Sequence, residues 1–78
     1  MELKQFITDI EDAIEDVEPG TLAAGTEYKS LAAWDSLAVL TVSGAVELEY
    51  GVLLRKDDFA QCKTVEALYE LVAKRQST

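Results

Sequence analysis

Apolar residues recur at helical spacing along most of this chain. Leu3, Phe6, Ile7, Ile10, Ile14 and Val17 fall on one stripe and predict an amphipathic helix from about Glu2 to Val17. Pro19-Gly20 then stops it. Between Ser36 and Tyr50 the pattern is doubled. Val39, Val42, Val46 and Tyr50 make one apolar line, and Leu37, Leu40, Gly44 and Leu48 make a second. A helix apolar around most of its circumference is either central to a bundle or shows a surface to a partner. The bulkier first line is assigned to the core, which leaves Leu37, Leu40 and the flat spot at Gly44 as an exposed strip. Gly44 has a second reading, the close approach of two helices. Gly51 ends the element. A short helix is predicted over Lys56–Gln61, with Asp57 or Asp58 near its start and Phe59 inward. The last helix opens on Thr64 as N-cap and turns Val65, Leu68, Tyr69, Leu71 and Val72 inward. Lys74 and Arg75 stand at its C-terminus, where the dipole favours cations. The tail Gln76-Ser77-Thr78 is expected to fray. The fold class is all-α, with three longer helices and one short helix in a single domain over residues 1–78.

The polar positions carry mostly one sign. Fifteen acidic residues against seven basic ones leave a net charge of −8. Such a surface excludes nucleic acid, which needs a basic face to displace counterions, and it disfavours an anionic membrane. Basic partner surfaces are its complement. The acids crowd on the outer face of the first helix, at Asp9, Glu11, Asp12, Glu15 and Asp16, with Glu18 following. Glu11 with Glu15 and Asp12 with Asp16 form like-charge pairs one turn apart, and acids at that end oppose the dipole. A solvated face is the preferred reading; weak cation binding or a basic partner is the alternative. One cysteine, Cys62, cannot make an internal disulfide and fits a reducing compartment. No apolar run reaches bilayer length, and no signal-peptide or lipidation motif is recognisable. A cytoplasmic protein without membrane insertion is expected.

Candidate chemistry is sparse. The chain has no histidine, no metal-ligand spacing and no Gly-rich phosphate loop, and Cys62 has no activating neighbour. Catalysis by the chain itself is therefore not expected. Asp35-Ser36 is the exception worth following. A hydroxyl at a helix start projects where unpaired N–H groups and the dipole favour anions, so a phosphate esterified there would be well placed. As a plain N-cap, the same pair needs no function at all.

Its setting shifts the balance toward the first. Asp35-Ser36-Leu37 lies near the middle of a short, acidic, helical chain, followed by the spacing Leu37…Val42…Val46…Glu47…Glu49-Tyr50-Gly51. Asp57-Asp58-Phe59 and Thr64-Val65 come after it. Together these resemble the acyl carrier protein family over nearly the whole chain, through Thr64–Lys74. Trp34 before Asp35 looks more like the stand-alone specialised carriers. The resemblance implies a four-helix bundle of acyl-carrier type in which Ser36 carries 4′-phosphopantetheine and Asp35 caps the helix and positions the serine. The arm would hold acyl intermediates as thioesters for fatty-acid, polyketide or another dedicated biosynthesis. Aminoacyl or peptidyl carriage is the alternative within the family, though Ala33-Trp34 lacks the Gly-rich approach usual there. An unmodified helical interaction module is the alternative outside it.

The resemblance also implies partners. A phosphopantetheinyl transferase would supply the catalytic apparatus with which the Ser36 hydroxyl attacks the pyrophosphate of coenzyme A. Acyl-loading, condensing or transferring enzymes with basic or apolar docking patches would meet Leu37, Leu40, Gly44 and Glu47 of a monomer. Ala38, Thr41 and Ser43 are neutral where the general carrier tends to offer acids, which favours a partner with an apolar docking site. The long connection from Glu18 to Trp34 should be pinned by Leu22, Tyr28, Leu31 and Trp34, with Leu31-Ala32-Ala33 as a short helical turn. Trp34 is expected to pack beneath the serine, and Val52-Leu53-Leu54 to pass through the core.

Overall fold

The computed structural model describes residues 2–15 and 17–76. Four α-helices follow in order: α1 Leu3–Ala13, α2 Ser36–Tyr50, α3 Lys56–Gln61 and α4 Val65–Gln76. No strand occurs among the described residues. Three longer helices and one short one is the predicted architecture, and α2 and α3 have the predicted bounds. Phe6, Ile10 and Ile14 from the first stripe are buried with Val42 and Val46 of α2, Phe59 of α3 and Val65, Leu68 and Val72 of α4. Phe6 ties three helices together, its ring 5.7 Å from Tyr50 and 5.6 Å, edge-on, from Tyr69.

The first helix is shorter than its apolar stripe suggests. It ends at Ala13, a turn before Val17, and Ile14 is extended. Acids at its C-terminal end oppose the dipole, and one of them has a different task. Glu11 is buried, not on the solvated face, and its Oε2 accepts the N–H groups of Gly20 and Leu22, each at 2.9 Å. The carboxylate thereby folds the following loop back onto α1 and seats Leu22 in the core. Gly20 turns there with φ of +90°, a conformation that costs glycine little. Glu15 lies beyond the helix end, so Glu11 and Glu15 are not stacked one turn apart on one helix face as expected. Asp16, and Ser77-Thr78 of the tail expected to fray, lie outside the described residues, whereas Gln76 of that tail is the last residue of α4 and its Nε2 donates to Tyr50 O at 3.1 Å.

The long connection is the hub of the hydrogen bonding. Its helical turn is Tyr28–Ser30, one turn of 3₁₀ helix, not Leu31-Ala32-Ala33, which forms a hydrogen-bonded turn closed by Trp34 N–H to Leu31 O at 3.0 Å. That placement lets Tyr28 and Lys29 serve the C-terminal carbonyls of α3, which no helical N–H reaches. The buried Tyr28 hydroxyl lies 2.8 Å from Phe59 O and 2.6 Å from Cys62 O, and Lys29 Nζ donates to Ala60 O at 3.0 Å. The same loop also receives the first N–H groups of α4. Val65 donates to Thr26 O and Glu66 to Ala24 O, while Ala67 donates to the Thr64 hydroxyl, the predicted N-cap. A long connection whose own regular structure is one 3₁₀ turn is thus held by the ends of two other helices. Ring contacts complete the anchor, with Tyr28 4.8 Å from Trp34 and Trp34 5.5 Å from Phe59.

One further expectation is corrected and another is extended. Val52 and Leu54 are buried, but Leu53 between them is 49% exposed, because an extended link alternates its side chains. Arg75 does more than complement the α4 dipole. It clamps Asp58 of α3 with two bonds of 2.8 and 2.7 Å, and Asp58 also accepts the Arg55 N–H at 2.8 Å. These Arg75 bonds, chiefly, hold the Asp58 carboxyl below the usual carboxylate range.

Candidate functional site

Asp35 is extended (φ −149°, ψ −171°), and its Oδ1 accepts the Ala38 N–H at 2.9 Å. This is the N-cap expected of aspartate before an apolar helix. Val39 N–H bonds to Asp35 O at 3.1 Å, so Ser36 is fixed as the first residue of α2. Ser36 is exposed, and among the described residues no hydrogen bond engages its hydroxyl. The remaining first-turn N–H groups and the dipole of a fifteen-residue helix favour negative charge beside it. Trp34 is half-buried against Tyr28 and Phe59, a packing residue that anchors the approach to the serine.

The exposed apolar strip of α2 is present. Leu37 is 55%, Leu40 69% and Leu48 83% exposed. Gly44 is exposed on the same side, and a methyl group added there would meet nothing within 4 Å outside its own helix. The reading of Gly44 as a point of close helix packing is thereby overturned. Glu47 is exposed beside this strip. The helix is rotated slightly from expectation. Its core line is Ala38, Val42 and Val46, with Val39 and Tyr50 only half-buried. Ala38 is therefore not part of a docking face. Ser43 is half-buried too and donates to Leu54 O at 2.8 Å, which leaves Thr41 as the exposed neutral residue of the three.

A cleft of about 420 Å³ adjoins the serine, lined by Ser36, Val39, Leu40, Ser43, Leu54 and Lys56. Its apolar walls and single ammonium could accommodate a flexible chain leaving the Ser36 oxygen. An exposed hydroxyl free of internal bonds, at a helix start that tolerates an anion, with an open cleft beside it, fits esterification by a phosphate-bearing arm. Nucleophilic chemistry elsewhere finds no support. Cys62 is buried, and burial, more than the nearby Asp58 charge, pushes its thiol above the ordinary value. Among the described residues, no group of three His, Cys, Asp or Glu side chains could hold a metal ion. No helix among them is long and apolar enough to cross a membrane.

Sequence reasoning found Asp35, Ser36 and the leucine strip, because each follows from local helix chemistry. It named Tyr28 as a packing anchor but missed its hydrogen bonds, and it missed the roles of Glu11 and Lys29, because the partners lie elsewhere in the fold.

Comparison with known proteins bears on the whole fold. A family model described as "Phosphopantetheine attachment site" matches residues 9–72. No curated protein and no solved structure matches the chain. The family match runs from α1 into α4 and agrees with the resemblance to acyl carrier proteins. Members carry a 4′-phosphopantetheine prosthetic group and work with a phosphopantetheinyl transferase and partner enzymes, generally as carriers and not as catalysts. On this match and on its all-helical fold, the chain belongs to the phosphopantetheine-attachment family of carrier proteins.

Proposed function

We propose that Ser36 is the attachment residue and that the chain carries acyl groups as thioesters for a dedicated biosynthetic pathway, of fatty-acid, polyketide or similar type. The observation that carries the site is the geometry at the start of α2. Asp35 takes the capping role, so the adjacent hydroxyl stays exposed and unbonded. In the modification, the Ser36 oxygen forms a bond to the β-phosphorus of coenzyme A, the pyrophosphate linkage breaks, and 3′,5′-ADP leaves. The serine proton passes to a base of the transferase. The bound arm supplies a thiol whose acyl thioester stays reactive, and tethering raises its local concentration at each docked enzyme.

Docking is assigned to Leu37, Leu40, Gly44 and Glu47, on the exposed side of α2 next to the serine. Leu37 and Leu40 offer apolar contact, and Glu47 a counter-charge for a basic residue. Thr41 puts a hydroxyl where a general carrier offers an acid, which supports a more apolar partner. Acyl cargo is favoured over aminoacyl because Trp34, packed on Tyr28, takes the place of a Gly-rich approach.

Intact mass after incubation with coenzyme A and a promiscuous transferase tests the assignment. The wild type gains one phosphopantetheine and Ser36→Ala gains none, while the variant remains folded because Asp35 still caps α2. Modification persisting in Ser36→Ala refutes the site. An unmodified wild type refutes carriage and leaves a helical interaction module.

A further inference from the structure

Two clefts open at the N-terminal end of α2, and their charges differ. One, of about 300 Å³, includes the carboxyl-bearing Glu15 and Asp35 together with Leu37 and Thr41. The other, of about 420 Å³, is lined by Ser36 itself, and Lys56 is its one charged residue. Lys56 is exposed, and among the described residues no ion pair or hydrogen bond engages its ammonium. The nearest candidate acids on its own helix do not claim it. Asp58 is occupied by Arg75 and by the Arg55 N–H, and Asp57 is the next residue along, which faces another direction on a helix. In a chain of net charge −8, an uncommitted ammonium in the same cleft as the serine stands out.

Resting on the reading of Ser36 as the attachment residue, we propose that Lys56 pairs with the phosphodiester of the attached arm. It thereby directs the arm into the Val39–Leu40–Leu54 cleft and away from Glu15 and Asp35. A phosphodiester bears one negative charge at every pH at which the protein is folded. On one side of Ser36 that charge meets carboxylates, and on the other an ammonium. Both interactions push the arm the same way. Lysine suits the task, because its charge is compact and its four-carbon stem lets it follow a mobile phosphate. The unmodified hydroxyl is neutral and gives Lys56 nothing to hold, so the interaction is created by the modification. Beyond the phosphate, the paired methyls of the pantetheine unit would meet the apolar side chains of Val39 and Leu54.

Solution NMR on the loaded protein tests this, with intact mass confirming one phosphopantetheine beforehand. A chain that gains no arm overturns the attachment reading and this proposal with it; a loaded chain tests Lys56 alone. The expected result is nuclear Overhauser contacts from the paired methyls of the arm to the methyls of Val39 and Leu54, and none to Thr41. Lys56→Gln should lower the population of that state about two- to fivefold, the effect of an exposed ion pair on an equilibrium. Lys56→Glu should lower it further. Raising salt should weaken the contacts in the wild type more than in Lys56→Gln, where only the repulsion from Glu15 and Asp35 is left to screen. Lys63→Gln, at an exposed lysine outside this cleft, is the control and should behave as wild type. Contacts to Thr41, no defined contacts, or Val39 and Leu54 contacts that survive Lys56→Glu would each overturn the proposal. The unloaded variants should give the wild-type amide spectrum, since Lys56 is exposed.

Discussion

Removing one oxygen atom, in Tyr28→Phe, isolates the hydrogen bonds by which the long connection caps α3. The ring is 1% exposed and stays in place, so its packing on Trp34 and Phe59 is retained. What is lost is the hydroxyl between Phe59 O and Cys62 O, at 2.8 and 2.6 Å. A hydroxyl has one proton to donate, so the two carbonyls share it. Without it both are left to a mostly apolar surrounding. Leaving buried acceptors unsatisfied costs about 1–3 kcal/mol. For a domain of this size each kcal/mol shifts Tm by about 4–8 °C, which predicts a fall of about 10 °C. Thermal and urea denaturation of wild type and variant measure it. Lys29→Ala, which removes an exposed bond to Ala60 O, should cost less than about 1 kcal/mol.

A second signature comes from pH. Burial first, and the neighbouring Cys62 next, push the Tyr28 phenol well above its ordinary value near 10. The folded state therefore keeps the proton longer than the unfolded chain does. The stability owed to the neutral phenol is complete below about pH 10 and declines as pH rises beyond it. The gap between wild type and Tyr28→Phe should accordingly narrow above pH 10. A variant within about 0.5 kcal/mol of wild type at neutral pH would refute the capping argument.

Glu11→Ala should cost about 2 kcal/mol in urea denaturation, since the Gly20 and Leu22 N–H groups lose their acceptor, and Glu11→Gln should recover much of it because its oxygen still accepts. The Asp58 carboxyl, lowered chiefly by Arg75, contributes stability that is present above the unfolded carboxyl value and is lost as pH falls through the folded one. Melts in acid should show wild type losing this increment below about pH 4 while Asp58→Asn does not. Ala38→Glu should unfold the domain or cost about 3 kcal/mol or more, by burying a charge where 4% of the residue is exposed, whereas Thr41→Glu should be tolerated. Loaded Thr41→Glu should also dock faster on a basic general acyl-loading enzyme, most visibly at low salt in stopped-flow association.

The amino-acid order alone determined the number, type and most of the bounds of the helices, because helical periodicity and capping are local. Asp35 caps the Ala38 N–H three residues on, and Thr64 caps Ala67 likewise, so the start of α2 and the exposure of Ser36 were legible in a few letters. The tertiary structure decided what depends on distant neighbours. Glu11 looks like one acid among several on a polar face until its acceptors are known to be needed nine and eleven residues ahead. Tyr28 looks like a generic anchor until the carbonyls of α3, thirty-one and thirty-four residues away, are found unserved. Rotation of α2 belongs to the same class. With apolar side chains on nearly every side, the helix carries almost no direction in its own pattern, so contact with its neighbours turned Ala38 inward and left Val39 at the rim. The pairing of Ser36 with Lys56 in one cleft likewise came from how α3 is set beside α2, since no spacing rule links a serine to a lysine across a turn and an extended link.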